Sequence, residues 1–421
     1  MYAFLCYRLL ICGGILLKKL HFVPIFTVCV FVLCALSFPL GASAGENSVT
    51  VTSPNKTKFS VSIESDDITY ALKAAFKYCE KNASPDNRCK ITVAKGTYKV
   101  SKTITFVSYT TLSADGVTLV NTPSSGNILK SPTGSGYSAC TDFSMTGGTL
   151  TYSPDNLKGS CLVRIGHSQN ITFSNVEFLN NYQSHHMEIA ASKNVVVDSC
   201  KFSSQRASLN RTSAEALQID ILTESHFPGY EPYDFTVNDG ITVNSCLFEN
   251  TVRGLGTHSL FAGDYQKNIK ITNNTFHNVS STAVSAFGWV SSLIDSNTII
   301  SCGEGINYSL IKAEDEADTV SVSQNAVSDF PIDCKTVISN NVISVEKTAA
   351  ARAPYAISVY GRDYSSSNNI GFKRADYSVY NIVIKFNNIT TPCDFVLLSG
   401  VRNARVYSNK VQNNRKTVVS V

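Results

Sequence analysis

Three short apolar segments, MEIAA, LQIDI and LGTHS, each carry a polar side chain that could take part in proton transfer. These side chains are Glu188, Asp220 and His258. A carboxylate and an imidazole held side by side can act as general acid and general base. We therefore predict that Asp220, His258 and Glu188 form a catalytic group.

Basic, amide and aromatic residues near the same segments could bind a substrate. An arginine can hold a carboxylate through two parallel hydrogen bonds, and a tyrosine ring offers an apolar face with a polar tip. The predicted substrate-binding residues are Arg164, Gln218, Arg253, His186, His226 and Tyr233. These residue types favour a saccharide with acidic groups. The alternative is an ordinary solvated surface, on which Glu188 and Arg164 form an ion pair that contributes little.

Alternation within the segments predicts the element that positions these side chains. In LQIDI the leucine and the two isoleucines alternate with Gln218 and Asp220, which is the pattern of a β-strand with one buried face. The same parity places Arg164, Glu188 and His258 on the outer face of their own strands. Neighbouring strands lie about 4.8 Å apart, so these outer positions would form one surface.

A column of similar residues recurs two positions before the apolar end of successive segments such as ITNNTF and ISNNVI. Its members are Val176, Cys200, Cys246, Asn274, Asn297, Asn341, Asn387 and Asn409. The gaps cluster near about 23 residues and its double, and such a period on β-type segments indicates a solenoid. Stacked asparagine side chains can bond to one another, so we predict an asparagine ladder.

A second column precedes the first and consists mainly of residues that tolerate a left-handed backbone. Its members are Asn170, Asn194, Gly240, Asn268, Ser291, Lys335, Asn381 and Asn403. The turn residue, the strand, the residue two positions before the end and the apolar end therefore repeat together along the chain. This shared register predicts one structural coil for each repeat.

The chain has 421 residues, of which 43% are apolar, and a net charge of +4. The absence of a basic run argues against nucleic-acid binding. An apolar stretch followed by Ala-Ser-Ala predicts a signal peptide. The predicted parts are a signal peptide or retained anchor (1–44), a leader or linker (45–62), a cap helix with the first coils (63–130), and the main coils (131–421) with insertions at 222–239, 313–333 and 362–380.

Two smaller features concern cysteines and charge. Cys79 and Cys89 flank a short polar stretch and could form a disulfide, whereas no cysteine–histidine pair has metal-site spacing. The charged run KAEDEAD at 312–318 is typical of a solvated loop. We predict no metal site from spacing alone.

The stretch VAKGTYKVSKTITFVSYTTLSADGVTL, preceded by a predicted helix over 65–82, resembles the opening of pectin-lyase-like proteins. Gly96, Thr97 and Tyr98 carry that resemblance. It implies an all-β, right-handed parallel β-helix solenoid with an N-terminal capping α-helix, over roughly residues 63–421. The polygalacturonase motifs Asn-Thr-Asp and Gly-His-Gly and the pectate-lyase motifs are absent, so no catalytic residue is carried over from the family.

The resemblance also implies a secreted or cell-surface protein that acts on polysaccharide. We expect a lyase, hydrolase or epimerase on a uronic-acid-containing glycan, or alternatively a non-catalytic glycan-binding or adhesion solenoid. Lyases of this fold often use calcium, which Glu188, Asp220 and Asp234 could bind. We further expect a monomer that contacts a membrane only if the N-terminal segment is retained.

Overall fold

The structure is a computed structural model that describes residues 47–55, 58–124, 126–206, 214–312, 318–321, 330–348, 351, 355–363, 377–412 and 418–420. The predicted signal peptide lies outside these residues, as do most of the 313–333 and 362–380 insertions. Among the described residues, no helix has the length and apolar character needed to cross a membrane.

Three long sheets, built mainly of parallel strands, run the length of the coils, and each coil contributes a strand to each sheet in turn. The first sheet follows the path Lys58–Ser62, Ser48–Thr52, Cys89–Val93, Thr110–Ser113, Cys140–Thr146, Ser168–Ser174, Lys193–Asp198, Asp239–Asn244, Lys270–Thr272, Leu293–Asp295, Thr336–Ser339, Ile382–Lys385 and Arg405–Tyr407, with Gln266–Lys267 and Trp289–Val290 beside it.

The second sheet consists of Gly96–Val100, Val117–Asn121, Thr149–Tyr152, Glu177–Leu179, Lys201–Ser203, Leu247–Thr251, Thr275–Val279, Thr298–Cys302, Val342–Val345, Asn388–Thr390 and Lys410–Gln412. The third sheet consists of Ile104–Thr105, Leu129–Lys130, Val163–Gly166, Met187–Ala190, Glu215–Asp220, Arg253–Gly256, Thr282–Phe287, Glu304–Lys312, Ile357–Asp363, Val396–Ser399 and Val418–Ser420. Two small pairs, Leu260–Ala262 with Thr319–Ser321 and Val379–Tyr380 with Val401–Arg402, lie beside them.

An α-helix, Thr69–Asn82, precedes the first parallel strands. Its buried face includes Leu72, Ala75, Phe76 and Cys79, the apolar positions that helical spacing selects. The predicted helix over 65–82 is therefore present but begins later. The Asp67 carboxylate accepts a hydrogen bond from the Thr69 backbone N–H at 2.9 Å, close to the helix start. Cys79 and Cys89 are both free and buried in the structure.

The predicted asparagine ladder is present in the interior. Each side-chain amide donates to the carbonyl oxygen of the next asparagine along the solenoid, at 2.9–3.0 Å. The ladder runs through Asn274, Asn297, Asn341, Asn387 and Asn409. Asn297 and Asn341 are 44 residues apart and still occupy successive coils, so the longer gaps are single coils enlarged by an insertion.

The second column adopts the left-handed backbone at all but one of its eight positions. Lys335 is the exception, and it follows a turn closed by the Cys334 N–H and the Pro331 carbonyl at 3.1 Å. On the second sheet, a row of phenylalanine rings stacks at 4.7–4.8 Å from coil to coil. Ladder and ring stack together fill the core and fix the register of the outer face.

Candidate functional site

The outer face of the third sheet brings together charged side chains from successive coils. Arg164 is paired in register with Glu188, Glu188 with Gln218, and Gln218 with Gly256. The apolar residues between them, such as Ile189 and Leu217, belong to the interior core. The predicted parity of these strands is therefore correct, and we call the outer group the charged cluster: Arg164, His185, Glu188, Glu215, Gln218, Asp220, Arg253 and His258.

Arg164 and Glu188 form one end of the charged cluster. The Arg164 Nε donates to Glu188 Oε2 at 2.5 Å, and both side chains are largely buried. The guanidinium also lies 4.0 Å from the Phe227 ring centroid and 5.4 Å from that of Tyr230. Burial lowers the pKa of Arg164, but the charge of Glu188 outweighs it, and the pKa rises. A predicted substrate-binding arginine is thus already occupied by a partner.

The loop formed by the predicted insertion 222–239 packs against this end of the cluster. Residues 222–238, here called the covering loop, pack Phe227 and Tyr230 onto the outer face, together with Ala190. A Cβ added to Gly166 would meet Tyr230 Cδ1 at 2.6 Å, so the glycine leaves room for the ring. Burial raises the pKa of Tyr230 to about 12.

Glu215 is the centre of the charged cluster, and its side chain is 0% exposed. Arg253 Nη1 donates to Glu215 Oε1 at 2.8 Å, while His258 Nδ1 lies 3.7 Å and His185 Nδ1 3.9 Å from Oε2. Burial raises the pKa of Glu215, but the neighbouring His258 and Arg253 outweigh it and hold that pKa well below its usual range. A buried carboxylate therefore anchors three basic groups.

His258 and Arg253 are the members of the cluster that reach the surface most. Their side chains are 34% and 22% exposed. Burial lowers the pKa of His258, but the carboxylates of Glu215 and Asp220 outweigh it and raise that pKa to about 9. The accessible edge of the cluster is consequently cationic.

Gln218 and Asp220 lie beneath this edge. The Gln218 side-chain amide donates to Asp220 Oδ2 at 2.8 Å and lies 3.2 Å from His258 Nδ1. Asp220 also accepts hydrogen bonds from the Ser259 hydroxyl and the Ile221 N–H. Burial raises the pKa of Asp220. Both side chains are almost wholly buried, which corrects the expectation of a solvated outer face.

His186 does not lie on the outer face. Its side chain is buried, with Nε2 3.1 Å from the Ser203 carbonyl and the ring edge-on to Phe202, a core residue. The chain bends just before the strand Met187–Ala190, so strict alternation does not hold there. Burial lowers the pKa of His186 to about 3, and the structure does not bring this side chain together with the other predicted substrate-binding residues.

His226 and Tyr233 both belong to the covering loop. His226 Nε2 lies 2.9 Å from Asp318 Oδ1, and its ring centroid is 5.5 Å from that of His258. Tyr233 packs against the apolar side of the loop, and its hydroxyl accepts a hydrogen bond from the Gly229 N–H at 3.2 Å. His226 thus lies beside the charged cluster, whereas Tyr233 packs within the loop.

The three carboxylates expected to bind calcium are engaged separately. Glu188 is paired with Arg164, Asp220 accepts from Gln218 and Ser259, and Asp234 accepts from the backbone N–H groups of Gly136 and Thr236. Calcium needs six to eight oxygen ligands around one point. The described residues do not bring these three side chains to a common centre, so the residues present do not fit the ion.

Three residues central to the site were not among the predicted catalytic or binding residues. Glu215 and His185 flank the predicted strands, and Asp318 belongs to the charged run that we expected to be a solvated loop. Glu215 could have been found from the sequence, because an arginine and two histidines lie on neighbouring coils around this carboxylate. Nothing local distinguished Asp318, because its contact with His226 bridges 92 residues.

Sheets of this topology with polar groups on one outer face define the class of right-handed parallel β-helix proteins. A family model described as "Right handed beta helix region" matches residues 157–327. The fold predicted from the sequence, an all-β right-handed parallel β-helix, is confirmed.

Particular relatives are found at the level of sequence and of structure. Plasmin and fibronectin-binding protein A of Streptococcus pneumoniae is 31% identical over 208 residues, which are 45% of this chain and 28% of that protein. The structure of the Streptococcus pneumoniae surface protein and adhesin PfbA has a TM-score of 0.58 at 21% identity, covering 84% of this chain and 95% of that chain.

A second kind of structural relative comes from a bacteriophage. The tailspike protein of E. coli bacteriophage HK620 in complex with a pentasaccharide has a TM-score of 0.56 at 15% identity, covering 84% of this chain and 61% of that chain. These structural likenesses show the fold alone. The chain matches just over a quarter of the length of the curated relative.

Proposed function

We propose that this protein acts outside the cell or at its surface and binds an acidic polysaccharide at the Arg253–His258 edge of the charged cluster. The observation that carries the proposal is Arg253, a partly exposed guanidinium held in place by a wholly buried carboxylate. A positioned arginine is suited to a sugar carboxylate, because its planar fork matches the two oxygens.

The guanidinium of Arg253 still has hydrogen-bonding capacity. Its Nη1 donates to Glu215 and its Nε is buried without a hydrogen-bond partner among the described residues, so a ligand would bind the part of the guanidinium that reaches the surface. Glu215 fixes the side chain before a ligand arrives, so less conformational entropy is lost on binding. This preorganisation distinguishes Arg253 from Arg164, whose Nε is already bonded to Glu188.

Binding is favoured over cleavage by the state of the predicted catalytic residues. Glu188 is paired with Arg164, and Asp220 is buried beneath Gln218, so His258 is the one of the three that reaches the surface appreciably. A hydrolase needs two carboxylates that both contact the sugar. Lyase, hydrolase or epimerase activity remains a prediction, and the described residues favour the glycan-binding alternative.

The relatives support the same class of function without assigning it. One is named as a surface adhesin and another was solved with a pentasaccharide. A surface or extracellular location and a polysaccharide partner are part of the proposal.

The proposal is tested by calorimetric titration of the purified protein with acidic and neutral polysaccharides. Arg253→Lys keeps a cation beside Glu215 but removes the planar fork, and it should weaken binding of the acidic glycans by about tenfold. Arg405→Gln is the matched control, because this exposed arginine belongs to the first sheet. Its affinity should equal that of the unmodified protein.

Reducing ends and the ultraviolet absorbance of unsaturated sugars are measured on the same samples. Binding without new ends or absorbance, weakened by Arg253→Lys alone, supports the proposal. Equal binding of neutral and acidic glycans, or equal loss in both variants, contradicts it. Depolymerisation that persists in Arg253→Lys would contradict the proposal and support the predicted lyase, hydrolase or epimerase activity.

A further inference from the structure

Two histidines and an aspartate from three separate segments converge at the His258 end of the charged cluster. One ligand-type atom from each of His226, His258 and Asp318 lies within 4.8 Å of the others. All three residues are partly buried, which reduces competition from water. Their side chains come from the covering loop, the end of a third-sheet strand and the segment after residue 317.

Backbone pairing fixes the positions of His258 and Asp318. The strands Leu260–Ala262 and Thr319–Ser321 are parallel neighbours, and the Leu260 N–H donates to the Asp318 carbonyl at 2.9 Å. Asp318 directly precedes its strand, and His258 lies two residues before the other. Main-chain hydrogen bonds therefore hold the segments that carry His258 and Asp318 next to each other.

His226 is held from the other side by the covering loop. The Phe227 N–H donates to the Thr223 carbonyl at 2.8 Å, and the Phe227 ring is buried against Tyr230. The turn presents the imidazole to Asp318, with Nε2 2.9 Å from Oδ1. All three side chains are consequently anchored by structure around them.

Each imidazole has a polar group facing its Nδ1 nitrogen. His226 Nδ1 lies 3.2 Å from the Thr223 hydroxyl. His258 Nδ1 lies 3.2 Å from the Gln218 side-chain amide and 3.7 Å from Glu215 Oε2, an oxygen without a hydrogen-bond partner among the described residues. Histidines that bind metals usually direct their second ring nitrogen to a carboxylate or another polar group, which orients the ring.

From this geometry we propose that His226, His258 and Asp318 bind a divalent transition-metal ion of the zinc class. Two imidazoles and one carboxylate form a ligand set that zinc accepts, with a further position open to water or a ligand oxygen. Calcium and magnesium are disfavoured because both require mainly oxygen ligands. The inference does not depend on polysaccharide binding, although His258 belongs to both proposed sites.

The charge around the three ligands suits a cation. Asp318 supplies one negative charge, and the buried carboxylates of Glu215 and Asp220 lie beside His258. The metal would replace the contact between His226 and Asp318 with two bonds to a shared ion. The short polar contact seen there is the arrangement expected of ligands that already face one another.

The test is titration of the chelator-treated full chain with zinc chloride alone, followed by calorimetry. We expect one equivalent to bind. Asp318→Asn and His226→Gln should each lower the affinity by more than about tenfold, because even outer-shell partners of a metal cost about 10–100-fold. Thr223→Val removes the hydroxyl that faces His226 Nδ1 and also accepts from the His226 backbone N–H, and it should weaken binding by about tenfold.

His277→Gln is the matched control. His277 is a half-exposed histidine on the second sheet that faces Glu249 at 3.5 Å, away from the three ligands. Its zinc affinity should equal that of the unmodified chain. Circular dichroism of every variant without metal checks that the fold is intact.

Cobalt absorption gives a readout that needs no substitution. Visible bands without a thiolate charge-transfer band support a site of nitrogen and oxygen ligands, whereas a thiolate band places the ion on a cysteine and overturns the proposal. Absence of zinc binding, or unchanged affinity in the folded Asp318→Asn and Thr223→Val variants, overturns it as well.

Discussion

Removing one step of the interior ladder gives the sharpest test of what stabilises the coils. The Asn297 side chain donates to the Ile271 carbonyl and to Asn341 Oδ1, both at 2.9 Å. It accepts from the backbone and side-chain N–H groups of Asn274, both at 3.0 Å. Asn297→Ala therefore deprives a buried backbone N–H and a buried carbonyl of these partners.

The expected loss follows from those two groups. A buried polar group left without its partner costs about 1–3 kcal/mol, so two such groups give roughly 2–6 kcal/mol. Urea denaturation followed by circular dichroism measures this loss as a lower midpoint with an unchanged slope. Asn388→Ala is the control, because Asn388 is exposed on the second sheet, and its effect should stay within about 0.5 kcal/mol.

A loss below about 1 kcal/mol in Asn297→Ala would refute the reasoning, because it would mean that water or a rearranged neighbour satisfies both groups. A similar loss in both variants would also refute it.

Two further perturbations test the outer face. Gly166→Ala places a Cβ 2.6 Å from Tyr230, so the covering loop should be displaced. The free energy of unfolding should fall by about 1–3 kcal/mol, and proteolysis within the loop should be faster. Gly159→Ala is the control, because its Cβ meets nothing closer than 3.5 Å, and it should change neither quantity. Glu215→Gln removes the counter-charge of Arg253 and should cost about 3–5 kcal/mol in urea denaturation, and a cost no larger than that of an exposed carboxylate would contradict its role.

The regular part of the fold could be predicted from the sequence because it repeats. Asparagine recurs at the same place in successive coils, so the contact between Asn274 and Asn297 could be predicted from the sequence alone. The inward-facing side of each strand could also be predicted, since apolar residues such as Ile189 and Leu217 alternate with polar ones in their own strands and lie in the core. Local pattern is sufficient where each coil contacts its neighbour in the same way.

The exposure of the outer face could not be predicted in this way. Whether Glu188 and Asp220 meet solvent depends on the covering loop, whose path is set by Phe227 and Tyr230 packing at Gly166. This contact occurs once and has no counterpart in other coils. Repetition therefore carried no information about it.

Bends and long-range contacts account for the remaining differences. His186 follows a bend that reverses which neighbour faces inward, so parity taken from the next strand assigns it to the wrong side. Asp318 lies in an acidic run that resembles any solvated loop, and only the pairing of Leu260–Ala262 with Thr319–Ser321 brings it to His226.

The unequal coil lengths have a consequence for how such a protein can change over evolutionary time. Successive ladder asparagines are 22 residues apart at one place and 46 at another, yet the contact between them is the same. The three long insertions all follow third-sheet strands, so a coil can be lengthened there while the ladder contact is kept. A lineage could therefore change the loops beside the outer face by altering one coil, while the asparagine contacts between coils stay the same.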